Sequence, residues 1–138
     1  MSNLDKNTLC ILIPTYKRNL DLINLLKSIL SFNLNANLPY IVIFDNDPKN
    51  NIKDKIHEIL GSRYTYIQNK FNIGPLENII RLLEFLAQTK KPILLSTGAS
   101  TYDEIKFAIT LLKKHGNTDL TLLQCTSSYP CPIDAMNL

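Results

Sequence analysis

Cysteine is scarce in this chain and odd in number: Cys10, Cys125 and Cys131 are the three in 138 residues. Such a count in a chain without an export signal reads as reduced, mostly buried thiols of a cytoplasmic protein. Histidine is scarcer still. His57 and His115 show no ligand-like spacing to the cysteines, so no zinc site is spelled. Long apolar runs are missing, and none approaches the roughly 18 residues of a membrane-spanning helix. Residues 1–6, Met-Ser-Asn-Leu-Asp-Lys, lack the basic and apolar regions of a signal peptide. One-sided charge is also missing. Fifteen Lys and Arg against twelve Asp and Glu leave a net +3, too mild and too scattered for a nucleic-acid-binding stripe. There is no repeat and no flexible linker. The length is one domain's worth, able to bury roughly two thirds of its unfolded surface.

What is present is a rhythm. Five short, continuous apolar runs, at residues 9–13, 40–44, 64–68, 92–96 and 120–124, alternate with amphipathic stretches. Continuous β-branched and Leu-rich runs predict strands buried on both faces of a parallel sheet. Helical faces lie between them. Leu22, Leu25, Leu26 and Ile29 follow Asn19 as N-cap. A second helix covers residues 52–60 and stops before Gly61. Pro75 suits a first helical position, ahead of Leu76, Ile79, Ile80, Leu83 and Leu86. Thr101 to Glu104 spells a capping box, and Lys113-Lys114-His115-Gly116 closes that helix with cations and a glycine able to take positive φ. The expected fold class is α/β: three layers, with a mostly parallel sheet of about five strands and flanking helices.

In such sheets ligands bind beyond the carboxyl ends of the strands. The polar clusters fall there: Pro14-Thr15-Tyr16-Lys17-Arg18, Asp45-Asn46-Asp47, residues 69–74, Ser96-Thr97-Gly98 and residues 126–130. A carboxylate at a strand end accepts hydrogen bonds from a base edge or a ribose, and helix N-termini favour phosphate. The Asp45-Asn46-Asp47-Pro48 stretch equally suits a plain turn.

The segments LCILIPTYKRNLDLINLLKSIL, IVIFDND and YIQNKFNIGPLEN resemble the opening of family 2 glycosyltransferases with the GT-A fold, over about residues 8–85. That resemblance implies that Pro14, Thr15 and Tyr16 line a uracil and ribose pocket. Asp45 would bind the base of a nucleotide diphosphate sugar, and Asn72 and Gly74 would shape the loop beside it. From about residue 85 the likeness changes. EFLAQTKKPILLSTGASTYDEIKFAITLLKKHGN and LTLLQCTSSYP resemble the sialic acid synthase family, closest to its pseudaminic acid branch. Those enzymes condense phosphoenolpyruvate with an amino sugar in a TIM barrel, using a divalent metal. The resemblance gives Ser96 the phosphoenolpyruvate phosphate, Ser127 a polar ligand-binding place and Tyr129 the sugar acceptor.

The two likenesses meet within residues 82–90, dividing the chain into a 1–85 nucleotide-sugar-binding segment and an 86–138 synthase-like segment packed as one domain. Either resemblance implies Mn or Mg, but neither the acidic metal motif of the first family nor the metal-binding histidines of the second has a candidate here, and no carboxylate stands out as a base. No catalytic residue is assigned. The expectation is a truncated hybrid of a glycosyltransferase for bacterial surface glycans, keeping at most nucleotide binding. The alternatives are a protein related to sialic or pseudaminic acid synthases, or a non-catalytic recombination remnant.

Overall fold

The computed structural model describes residues 9–31, 39–126 and 131–135. Their order is β1 (Cys10–Thr15), α1 (Asn19–Ser31), β2 (Tyr40–Asp45), α2 (Lys53–Leu60), β3 (Tyr64–Gln68), α3 (Pro75–Gln88), β4 (Ile93–Ser96), α4 (Tyr102–Lys114), β5 (Leu120–Leu123) and a 3-10 turn, Ile133–Ala135. The chain divides into two compact units, with the boundary after Leu82, inside α3.

In the first unit β1, β2 and β3 pair in parallel, in that order. The register sets Ile11 beside Ile41 and Ile13 beside Ile43, with Tyr64 and Tyr66 following on β3. These side chains form one face, and Leu22 and Leu26 of α1 with Ile52, Ile56 and Leu60 at α2 pack on it. Leu26, Ile43 and Ile56 are fully buried, so truncating one to Ala would cost about 2–5 kcal/mol. Val42 and Phe44, on the opposite face of β2, are buried too. The double burial expected of a continuous apolar run therefore holds for this central strand.

In the second unit β4 and β5 form a parallel pair. Leu83, Leu86 and Ala87 of α3 and Ala108, Leu111 and Leu112 of α4 pack against Ile93, Leu95 and Leu120. The other face carries Leu94, Ser96, Thr121 and Leu123, register partners that share a side. It is open, with Leu94 66% and Leu123 39% exposed. The α/β class and parallel pairing stand. A single three-layer sheet of about five strands does not: the strands fall into sheets of three and two. An apolar run reports that a strand can be buried twice, not that a second layer covers it.

Local signals decide most helix ends. Pro75 opens α3, and Thr101 caps α4 while Glu104 returns the bond to the Thr101 backbone. Gly61 and Gly116 follow α2 and α4 with positive φ. Asn19 departs from its expected role as a cap. It is the first residue of α1, and its side chain exchanges two amide hydrogen bonds with Asn50, at 3.0 and 2.8 Å.

Candidate functional site

The carboxyl ends of β1, β2 and β3 open into a cavity of about 410 Å³. Pro14 and Thr15 at the end of β1 bound it with Tyr16 and Arg18 after β1, Asn46 after β2, and Asn72 and Gly74 after β3. Pro75, Asn78 and Ile79, in the first turns of α3, complete it. The walls are largely apolar with a few amides, the usual make-up of a small-molecule cleft. At its rim Lys17 takes a left-handed backbone, φ 53°, and sets its ammonium 5.2 Å from the Tyr16 ring centroid. Arg18 stands at the mouth, with an exposed ion pair to Asp21 at 4.0 Å that is worth little.

Five of the six residues expected at a nucleotide, Pro14, Thr15, Tyr16, Asn72 and Gly74, meet at this cavity. Asp45 is not among its lining residues. It is wholly buried and accepts hydrogen bonds from the Asp47 backbone amide at 2.9 Å, from Asn50 Nδ2 at 2.6 Å and from the Tyr66 hydroxyl. Burial first, then the bond to Asp45 and the charges of Asp45 and Asp47, hold the Tyr66 phenol well above its usual range. The residue after β2 that reaches the cavity is Asn46. Sequence reasoning put both Asn46 and Arg18 in the polar clusters at the strand ends, but it assigned the ligand contact to Asp45 and gave neither of them a role. Asn78 was not singled out and Ile79 was read only as part of the apolar face of α3; their place in the first turns of a helix that starts at the sheet edge was the signal.

In the second unit Ser96 ends β4 on the open face. Thr97 turns away, since both its amide and its hydroxyl donate to the Leu123 carbonyl at 3.0 Å. Gly98 sits in close approach: a Cβ there would lie 3.2 Å from Cys125 Cβ, so that neighbour would have to give by a few tenths of an ångström. Ala99 takes φ 55°, and Ser100 bonds back to Thr97 and Gly98. Glu104 Oε2 accepts from the Thr101 amide at 2.7 Å and from its hydroxyl at 2.9 Å. The backbone bond, then the hydroxyl bond, hold this carboxyl below its ordinary range. Ser127 and Tyr129 lie outside the described residues.

Among the described residues no three His, Cys, Asp or Glu side chains gather as metal ligands. No helix among these residues is long and apolar enough to cross a membrane.

The NeuB family pattern matches residues 70–138. A pseudaminic acid synthase of Helicobacter pylori is 47% identical over 57 residues, covering 41% of this chain and 17% of that protein. An N,N'-diacetyllegionaminic acid synthase of Campylobacter jejuni is 41% identical over 71 residues, 50% of this chain and 21% of that protein. An uncharacterized protein of Methanocaldococcus jannaschii is 40% identical over 85 residues, 57% of this chain and 25% of its own length. The chain thus spans a quarter or less of each of these relatives. No solved structure matches it significantly. These matches support the synthase-like part of the sequence reading, and the glycosyltransferase reading of residues 8–85 gains no support from them. The match starts at residue 70, so Asn72 and Gly74 fall inside it. Through these residues, half of its length, the chain belongs to the NeuB family.

Proposed function

We propose that this chain is a partial relative of the sialic and pseudaminic acid synthases that serves carbohydrate biosynthesis by binding phosphoenolpyruvate at the end of β4. The observation that carries the reading is Ser96, exposed on the open sheet face within the family-matched segment. Its hydroxyl can donate to a phosphate oxygen, a charge-assisted hydrogen bond. The adjacent helix start is already answered by the Thr101 hydroxyl and the Glu104 carboxylate, so the phosphate belongs at the Ser96–Ser100 turn rather than on α4. Ser127 and Tyr129 would complete the site by resemblance. Binding is the proposed extent of the activity.

Calorimetric titration of the whole chain with phosphoenolpyruvate tests this. Saturable binding that weakens about tenfold in Ser96→Ala is expected, the worth of one charge-assisted hydrogen bond. Equal binding by both proteins, or none by either, refutes it. Steady phosphate release in the presence of an amino sugar would show turnover and overturn the restriction to binding.

A second reading rests on a separate observation, the convergence of Pro14, Thr15, Tyr16, Asn72 and Gly74 around the cavity of the first unit. We propose that this cavity takes the base and ribose of a nucleotide diphosphate sugar. Asp45, Asn46 and Asn78 are engaged internally, so base recognition there would fall to the exposed Asn72 amide. Titration with UDP, read by amide shifts of residues 14–16 and 72–74, decides it. Absence of saturable shifts at those residues would sink the reading.

A further inference from the structure

Among the residues lining the cavity, the side-chain amide of Asn46 makes the largest set of hydrogen bonds. Asn46 is 2% exposed. Its Nδ2 donates to Asn72 Oδ1 at 2.8 Å and to the Gly74 carbonyl at 3.1 Å. Its Oδ1 accepts from Asn69 Nδ2 and from the Ile73 backbone amide, both at 3.0 Å. Two donors and two acceptor positions are thus all used. The orientation is unambiguous, since the backbone N–H of Ile73 must meet the oxygen and the carbonyl of Gly74 must meet the nitrogen.

The network continues behind it. Asn69 Nδ2 also reaches Asn78 Oδ1 at 2.9 Å, and Asn78 Nδ2 faces the Phe44 carbonyl at 3.4 Å. The Asn46 backbone N–H donates to the Thr15 carbonyl at 2.9 Å. One residue therefore ties the ends of β1 and β2 to the loop after β3 and to the first turns of α3. Gly74, at φ 82°, sits directly before Pro75 and is held by the same amide.

We infer that Asn46 is the positioning residue of the cavity: its side-chain amide holds the Asn72–Gly74 wall in the conformation that receives a ligand. This rests on the second reading above, that the cavity takes a nucleotide. A carboxylate cannot replace the amide. Asn46→Asp would set an oxygen against Asn72 Oδ1 and the Gly74 carbonyl, removing two donors and placing an unpaired charge in a buried site. The expected result is a loosened wall around an intact sheet.

The test compares wild type, Asn46→Asp and Asn72→Ala by amide hydrogen exchange and by UDP titration. Asn72→Ala removes one acceptor of the hub at an exposed position and, with it, the acceptor of the Gly74 amide, so exchange at Ile73, whose N–H is held by Asn46 itself, is the readout that decides the matter if Asn46→Asp fails to fold. Exchange at Ile73 and Gly74 should quicken about tenfold or more, the equivalent of one lost hydrogen bond. Exchange at residues 41–43 should stay unchanged, and UDP affinity should fall by a similar factor. Unchanged exchange at Ile73 and Gly74 in the folded variants overturns the inference. So does undiminished UDP affinity beside a loosened wall. If wild type itself ignores UDP, the nucleotide reading fails, and the exchange at Ile73 and Gly74 still decides whether Asn46 positions the wall.

Discussion

Replacing Asp45 by alanine separates a brace from a ligand group. The carboxylate is fully buried and accepts three hydrogen bonds, from the Asp47 amide, Asn50 and Tyr66. Hydrogen bonds to a charged partner are worth about 1.5–3 kcal/mol each. Asn50 and Tyr66 are only partly buried, so water would restore part of what they lose. Relief of the buried charge offsets a further share. About 3 kcal/mol of destabilisation remains, centred on the first unit. The loss should appear as a lowered urea midpoint and as faster amide exchange in residues 41–45. Asn50 also pairs with Asn19, so exchange at the start of α1 should quicken as well. A loss below about 1 kcal/mol, with UDP binding abolished, would refute the reasoning and return Asp45 to the ligand.

Three further outcomes follow from the same geometry. The Tyr66 phenol is raised in the folded state, so its contribution is complete below the unfolded value of 10.0 and is lost as pH rises above it. Urea midpoints should fall steeply on that alkaline side for wild type and less steeply for Tyr66→Phe. The Glu104 carboxyl is lowered, so its contribution is present above the ordinary carboxyl range and is lost as pH falls below it. Thr101→Val, which removes the hydroxyl, should move the Glu104 titration upward by carboxyl NMR and fray the start of α4. Gly98→Val brings a Cβ within 3.2 Å of Cys125 Cβ and should cost about 1–3 kcal/mol. A second change, Cys125→Gly, should recover part of that loss in a double-mutant cycle, whereas Cys125→Ala, which keeps its Cβ, should not.

The parts of this fold that were legible in the sequence are those decided within one turn of chain. Pro75, the Thr101 to Glu104 box and Gly116 fix helix ends through their own backbone chemistry, and each sits where its residue type predicts. The five strands were legible for the same reason. Layering was not, because Leu94 and Leu123 look as buried as Val42 until the neighbours of each strand are known. The Asn19 and Asn50 pair, 31 residues apart, leaves no local trace, so Asn19 read as an ordinary cap. At the end of β2 two adjacent polar residues competed. Asp45 is bonded to Tyr66 and Asn50, while Asn46 bounds the cavity. Which of two consecutive residues meets a ligand depends on strand phase and on long-range partners. A family resemblance carries the position of a motif without the bonds that this chain makes there.

Assigned amide NMR of the whole chain, titrated with phosphoenolpyruvate and repeated in Ser96→Ala, tests the central claim most directly. The account predicts saturable shifts at residues 96–100, lost or much weakened in the variant, with residues 41–45 unmoved in both. Resonances of residues 96–100 that stay in place at millimolar phosphoenolpyruvate, in a chain whose β4 and β5 amides are well dispersed, would contradict it.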